Sequence, residues 1–306
     1  MALFLDIVCG QETEATYSDM GKRETHKVRS LAEGGLDEIA CPAVTVRIIE
    51  EWQAVSDKDH IMTGGISSGL AAELAPTGRL RAAINFGNSV LAQQDAAGGP
   101  PRGVSAELAR ELAQRLGLGI DYVTFDAAGK VVEAGKAGLW DIAFLAIDPV
   151  RAAGIDFTAP YVVIEGVYLV RKDARFYTVA DVDRDGVRVA VAQGSAYDLY
   201  LTRALRYAKL VRQPSGPEAL EMFVRDHLEV AAGVRQPIVA FAQAHPDTRL
   251  IPGRFMAIEQ AMGTIKGREA GIAYLRSFIE EMKICGFVAR ALEASGQGDA
   301  SVAPPA

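Results

Sequence analysis

The sequence predicts an α/β protein made of two successive units, on three observations. From Leu80 onward, short apolar runs alternate with amphipathic helical stretches, the pattern of parallel sheets covered by helices. That cycle starts afresh near Val187. A chain of 306 residues also has room for two domains of about 100–200 residues each.

Taken in order, residues 80–86 read as a strand, 104–116 as a helix, 120–125 as a strand, 128–137 as a helix and 141–145 as a strand. In the first helix Val104, Leu108, Leu112 and Leu116 recur at four-residue spacing and form one apolar stripe. Glu107, Arg110, Glu111 and Arg115 fall on the other side, and Gly117 supplies a left-handed stop. A longer extended segment, 161–170, ends this half. The second cycle has strand 187–191, a helix after Ser195, strand 209–212, helix 217–226, strand 229–232, helix 237–244 and strand 249–251. Residues 255–262 read as a return strand, 268–282 as a long helix stopped at Gly286, and a final helix runs to Ala294. Residues 296–306 read as a loose Pro-rich tail, and no internal repeat is present.

Composition narrows the function classes. With 49% hydrophobic and 23% charged residues the chain is globular, and its net charge of −7 disfavours nucleic acid, which needs a basic surface. The acidic excess is local: residues 1–62 carry 12 acidic and 6 basic side chains, the remainder 27 and 26. Cys9, Cys41 and Cys285 are odd in number and far apart, so reduced thiols are expected. His26, His60, His227 and His245 lack metal-ligand spacing, no P-loop or GxGxxG follows a strand, and no cofactor is implied. Gly65-Ile66-Ser67-Ser68-Gly69 matches a nucleophile elbow, but no strand precedes it.

No apolar run reaches the length of a membrane span. The apolar start, residues 1–8, is short, lacks a positive flank and is interrupted by Asp6, so it is not read as a secretory signal. Val8 also spoils a lipoprotein-type cleavage before Cys9. As written, the chain is expected in the cytoplasm. Residues 1–61 are expected to be poorly ordered, with one strand or marginal helix at 43–55. A flexible linker follows from Met62, which is an alternative start; residues 1–76 are thus an extension and linker.

A set of motifs then carries a resemblance. These are Thr77-Gly78-Arg79-Leu80-Arg81, Gly103-Val104-Ser105-Ala106-Glu107-Leu108-Ala109, Gly138-Leu139-Trp140-Asp141-Ile142, and Arg151 followed by Ile155-Asp156-Phe157-Thr158-Ala159-Pro160-Tyr161. Val179-Ala180-Asp181-Val182, Gly186-Val187-Arg188-Val189, Gln193-Gly194-Ser195, Met282-Lys283 and Gly286-Phe287 extend it. Residues 77–296 resemble the bacterial extracellular solute-binding proteins of family 3, the polar amino-acid receptors of ABC importers.

The resemblance implies a type II periplasmic-binding fold: two α/β lobes with central mixed sheets, joined by two crossing hinge strands, with the ligand between them. Lobe 1 would be 77–170 plus 254–296, lobe 2 171–253, and 297–306 a tail. It implies a monomeric receptor in the periplasm, a small carboxylate ligand, an ABC permease as partner, and no chemistry.

By resemblance Arg151 grips a ligand carboxylate, for which the planar, always charged guanidinium fork is suited. Gly194 and Ser195, between a strand and a helix, would offer backbone N–H groups and a hydroxyl to the same anion. The other reading of Ser195 is an ordinary helix cap. Asn85, Phe86 and Asn88 resemble the family's side-chain pocket.

Two departures stand out. The stretch from Asp141 to Arg151 is shorter than the usual family spacing, with Asp148 where a Thr or Ser often donates to the ligand. Where the family offers an acid to an ammonium group, this chain reads Val234-Arg235-Gln236-Pro237. Either Arg235 joins Arg151 in holding a dicarboxylate or other organic acid, or it points to solvent and Asp148 or Glu259 supplies the acid. Two rival functions remain. One is an enzyme like cyclohexadienyl dehydratase, which needs a cleft acid such as Glu259, Glu229 or Asp148. The other is a cytosolic ligand sensor.

Overall fold

The computed structural model describes residues 68–94 and 98–306 and, ahead of them, the backbone of strands β1 (Thr13–Asp19) and β2 (Lys22–Val28). The chain divides into a unit of residues 1–64 and one of 65–306. In the first unit β1 and β2 form an antiparallel hairpin, in register from Thr13 opposite Val28 to Asp19 opposite Lys22, where the sequence suggests little order. The candidate element at 43–55, Met62, Cys9, Cys41 and His60 lie outside the described residues, as does most of the elbow-like segment.

The second unit begins earlier than its sequence pattern indicates. Residues 68–74, within the expected linker, form helix α1 (Ser68–Leu74). Then come β3 (Arg79–Asn85), α2 (Val104–Arg115), β4 (Gly119–Phe125), α3 (Ala128–Lys136), β5 (Ile142–Ala146), α4 (Pro149–Ala152) and β6 (Ile155–Arg171). The chain continues through β7 (Arg188–Ala192), α5 (Ala196–Ala204), β8 (Lys209–Gln213), α6 (Gly216–Arg225), β9 (Val230–Val234), α7 (Arg235–Ala244) and β10 (Thr248–Leu250). It ends with β11 (Met256–Ile265), α8 (Glu269–Ile284), α9 (Phe287–Ala294) and β12 (Ser301–Val302).

The strands of the second unit form one ten-stranded mixed sheet in which β6 is common to both halves. In lobe 1 the order is β4-β3-β5-β11-β6, with β3 parallel to β4 and β5, and β11 antiparallel to β5 and β6. In lobe 2 the distal half of β6 pairs antiparallel with β9, which runs parallel to β7, and β7 parallel to β8. β10 covers the other edge of β6. The 17-residue β6 is thus one crossing strand and β11 the other. Pairing of β6 with β9 begins at Gly166.

Burial explains the elements. All five residues of β5 are buried, as a central strand covered on both faces requires. The stripe Val104, Leu108 and Leu112 of α2 is fully buried, and each such side chain contributes about 1.5–3 kcal/mol. Gly117, at φ +61°, ends that helix as the sequence predicts. Leu74 of α1 is fully buried against α8, and the Glu73 carboxylate accepts from the Gly271 N–H at 2.7 Å in the first turn of α8.

The expected loose tail is also an ordered element. β12 adds to β6, Ser301 opposite Val163 and Val302 opposite Val162. The Ala303 N–H donates to the Tyr161 carbonyl at 3.0 Å, and the Lys283 ammonium donates to the Pro304 carbonyl at 2.8 Å. Ala303 is buried. The free edge of β6, not local composition, decides the conformation of these residues.

Candidate ligand-binding site

The parallel strands of both lobes end on one crevice, the place where open α/β sheets take ligands. About 560 Å³ of non-protein space lies there, a figure that includes open solvent. Lobe 1 supplies Asn85 and Asn88 after β3, the start of α3, the end of β5, and Arg151 on α4. Lobe 2 supplies Gln193 and Ser195 after β7, and Ser215 ahead of α6; Ile258 and Gln260 come from the crossing strand β11. The N-termini of α3, α5 and α6 all border the crevice, and their backbone dipoles make it attractive to an anion.

Arg151 is buried, with 2% of its surface exposed. Its Nη1 donates to the Ala146 carbonyl and its Nη2 to the Gly194 carbonyl, each at 2.9 Å, while Nε has no partner within the protein. No carboxylate pairs with it among the described residues. Burial pushes its pKa down to about 10, so it is still a cation at neutral pH. A charge held in this way, with a donor unused, is costly unless an anion completes it. Asn88 Oδ1 is likewise buried without a partner on the same crevice. The site therefore presents an orphan donor on a cation and an orphan acceptor.

The lobe 2 half differs from its sequence reading. The Gly194 N–H donates to Asp198 Oδ2 at 2.9 Å, and the Ser195 N–H to the Ala192 carbonyl at 3.2 Å. Ser195 Oγ accepts from the Asp198 N–H at 3.1 Å, so Ser195 is the cap of α5 as well as part of the wall. Gly194 meets the cation with its carbonyl instead of an anion with its N–H. Tyr197, on the same wall, has its hydroxyl pushed up to about 12 by burial and stays protonated.

Gly194 also lies close to lobe 1. Its φ is +69°, and a Cβ there would lie 3.0 Å from Gly129 Cα on lobe 1. A valine would be strained in the left-handed region, by roughly 1–2 kcal/mol, and would wedge the lobes apart. Gly194→Val is expected to weaken ligand binding about tenfold or more, read by titration calorimetry. Unchanged affinity would refute the close approach.

Other expected site residues lie elsewhere. Arg235 forms an ion pair with Glu165 and donates to the Gly253 carbonyl at 3.0 Å. Arg254 pairs with the same Glu165 at 3.1 Å. These groups border a second cavity, with Gln236 and Asp299, and Arg235 does not line the crevice. The sequence reading also allowed Arg235 to hold a second carboxylate; here its charge is paired with Glu165.

Glu259 is exposed because side chains alternate along β11: Ile258 and Gln260 face the crevice, so Glu259 points away. Asp148 caps α4 through the Val150 N–H at 2.8 Å and pairs with Arg203 at 2.6 Å. Glu229 is held by Arg188 at 2.8 Å. Phe86 lines a neighbouring crevice beside Phe125 and Lys130. Asn85, Asn88, Arg151 and Ser195 are brought together; Phe86, Asp148, Arg235 and Glu259 are not.

Sequence reading missed Gln260, Gln193, Tyr197 and Ser215. Ser215 and Gln193 stand at strand-to-helix junctions, a position that marks them in any open α/β sheet.

The model of the bacterial extracellular solute-binding proteins, family 3, matches residues 90–293. Among solved structures, a mutant of ArgBP from T. maritima is 22% identical with a TM-score of 0.64, covering 74% of this chain and 99% of that one. An amino acid ABC transporter substrate-binding protein from Streptococcus pneumoniae, bound to L-arginine, is 19% identical with a TM-score of 0.63, covering 74% and 97%. An ancestral amino acid-binding protein, a precursor of cyclohexadienyl dehydratase, is 22% identical with a TM-score of 0.61, covering 72% and 97%. At these identities the likeness shows the fold. No curated protein matches the sequence.

Proposed function

This chain belongs to the bacterial extracellular solute-binding proteins, family 3, and from that premise we propose that it captures a small carboxylate by cleft closure, as the receptor of an ABC importer. Its place of work would then be outside the cytoplasmic membrane. The observation that carries the ligand class is the buried Arg151 guanidinium, charged and without a carboxylate partner, facing the crevice. The best fit is a monocarboxylate with a hydrogen-bond donor nearby, an α-amino or α-hydroxy acid: the carboxylate completes Arg151 and the donor meets Asn88 Oδ1. Among the described residues that line the crevice a second carboxylate finds no second cation, and Arg235 is paired with Glu165.

Amino-acid binding is in keeping with the solved structures of similar fold, which include one bound to L-arginine. An enzyme of the dehydratase kind needs an acid in the cleft. The three acids considered for that role are turned to Arg203, Arg188 and solvent, which favours the receptor.

Thermal denaturation with a panel of α-amino acids, α-hydroxy acids, dicarboxylates and prephenate-type acids tests the reading. A ligand at 100 times its Kd stabilises the native state by about 2.7 kcal/mol, which for a unit of this size raises Tm by about 5–10 °C. Monocarboxylates are expected to shift Tm and dicarboxylates to shift it less. A panel without any carboxylate response, or turnover of a cyclic acid, would refute the proposal.

A further inference from the structure

We propose that Asp148 and Arg203 form an ionic clasp that holds the two lobes closed without ligand and keeps Asp148 from neutralising Arg151. The inference rests on the crevice being the ligand site. Asp148 follows β5 of lobe 1, and Arg203 lies in the last turn of α5 in lobe 2. Arg203 Nη2 meets Asp148 Oδ2 at 2.6 Å and Nη1 meets Oδ1 at 3.4 Å, a two-pronged contact between residues 55 positions apart. The Asp148 side chain is 5% exposed and that of Arg203 44%, so the clasp lies at the edge of the closed cleft.

The geometry fixes both partners before they meet. Asp148 is the cap of α4, held by the Val150 N–H, and a cation in the last turn of α5 is favoured by the helix dipole. Arg151 stands three positions after Asp148 on the same helical turn. With Arg203 gone, the buried Asp148 Oδ2 loses its partner, and Arg151, the cation the ligand must use, already interacts with Asp148 electrostatically. Arg203 thus acts as a positioning residue: it takes up the charge of Asp148 and leaves Arg151 as the unpaired charge of the site. The direct bond from Arg151 to the Gly194 carbonyl also joins the two lobes, so closure does not rest on the clasp alone.

The test uses the full chain with Cys9, Cys41 and Cys285 changed to serine and spin labels at Lys136 on α3 and Arg225 on α6, both exposed. Distances measured by electron spin resonance without ligand are expected to show a closed population. Arg203→Gln and Asp148→Asn are each expected to reduce that population about fivefold; asparagine keeps the helix cap. The double variant should be no more open than either single one, since the two residues act as one contact. Arg203→Lys, which keeps the charge, should retain much of the closed form. Unchanged distances in the single variants, or additive opening in the double, would overturn the clasp.

With the strongest ligand of the panel, Arg203→Gln should weaken binding about tenfold. Adding Asp148→Asn should recover part of that loss, because an amide does not neutralise Arg151. No recovery would overturn the charge-separating role. A panel that yields no ligand sinks the functional reading and leaves the distances to judge the clasp.

Discussion

An Arg151→Met protein is expected to bind its carboxylate ligand at least about 100-fold more weakly than the natural chain. Removing one partner of a buried, hydrogen-bonded charge pair costs about 2–5 kcal/mol, and about 2.7 kcal/mol corresponds to that 100-fold. The ligand-free protein should pay little for the same change. Methionine removes an uncompensated buried charge, which offsets the two bonds lost at the Ala146 and Gly194 carbonyls. Arg151→Lys keeps the charge but not the planar fork, so it should fall between the two. Titration calorimetry and thermal denaturation on the same samples separate these effects. Near-natural affinity in Arg151→Met would remove the carboxylate clamp; a large loss of Tm without ligand would make Arg151 a structural residue.

Asp141→Ala is expected to be the most damaging change to stability. The Asp141 carboxylate is fully buried; its Oδ1 accepts from Arg81 Nη2 at 2.8 Å and its Oδ2 from Arg81 Nε at 3.0 Å. Arg268 reaches Oδ1 at 3.3 Å, and the Arg81 N–H donates to Oδ2 at 3.0 Å. One side chain therefore ties β3, the start of β5 and the approach to α8. Alanine leaves two guanidinium groups without their anion, a loss of about 3–5 kcal/mol. For a unit of this size that lowers Tm by about 6–20 °C. Thermal and urea unfolding read it, and a change under 2 °C would refute the network. Asp141→Asn keeps the shape and should lose less.

These two residues show how the motif language of the sequence divides. Both Asp141 and Arg151 belong to stretches that carry the family resemblance. Asp141 pairs with Arg81 and Arg268 inside lobe 1, whereas Arg151 forms no ion pair among the described residues. A motif letter does not distinguish the two, because the difference lies in which partners arrive from distant parts of the chain. The same holds for Arg235. Its charge invites a ligand role, but Glu165 lies 70 positions away in sequence and adjacent in space.

The succession of strands and helices from Leu80 to Ala294 was legible because local periodicity records which face of each element is buried. The stripe on α2 and the wholly apolar β5 state their own positions in the core. α1, β12 and the β1–β2 hairpin carry no such record. The first two are short and are ordered by what they meet: Leu74 and Glu73 against α8, and the backbone of Ser301 and Val302 against the open edge of β6.

By itself the sequence determined the α/β class, the order of the elements and the family, since each depends on residues close together in the chain. The tertiary structure alone decided which charges were already spoken for: Arg235 by Glu165, Asp148 by Arg203, and Arg151 by no carboxylate among the described residues. Ion pairing is settled by proximity in space after the sheets have formed, and a charge's availability to a ligand is what remains once those pairs are made.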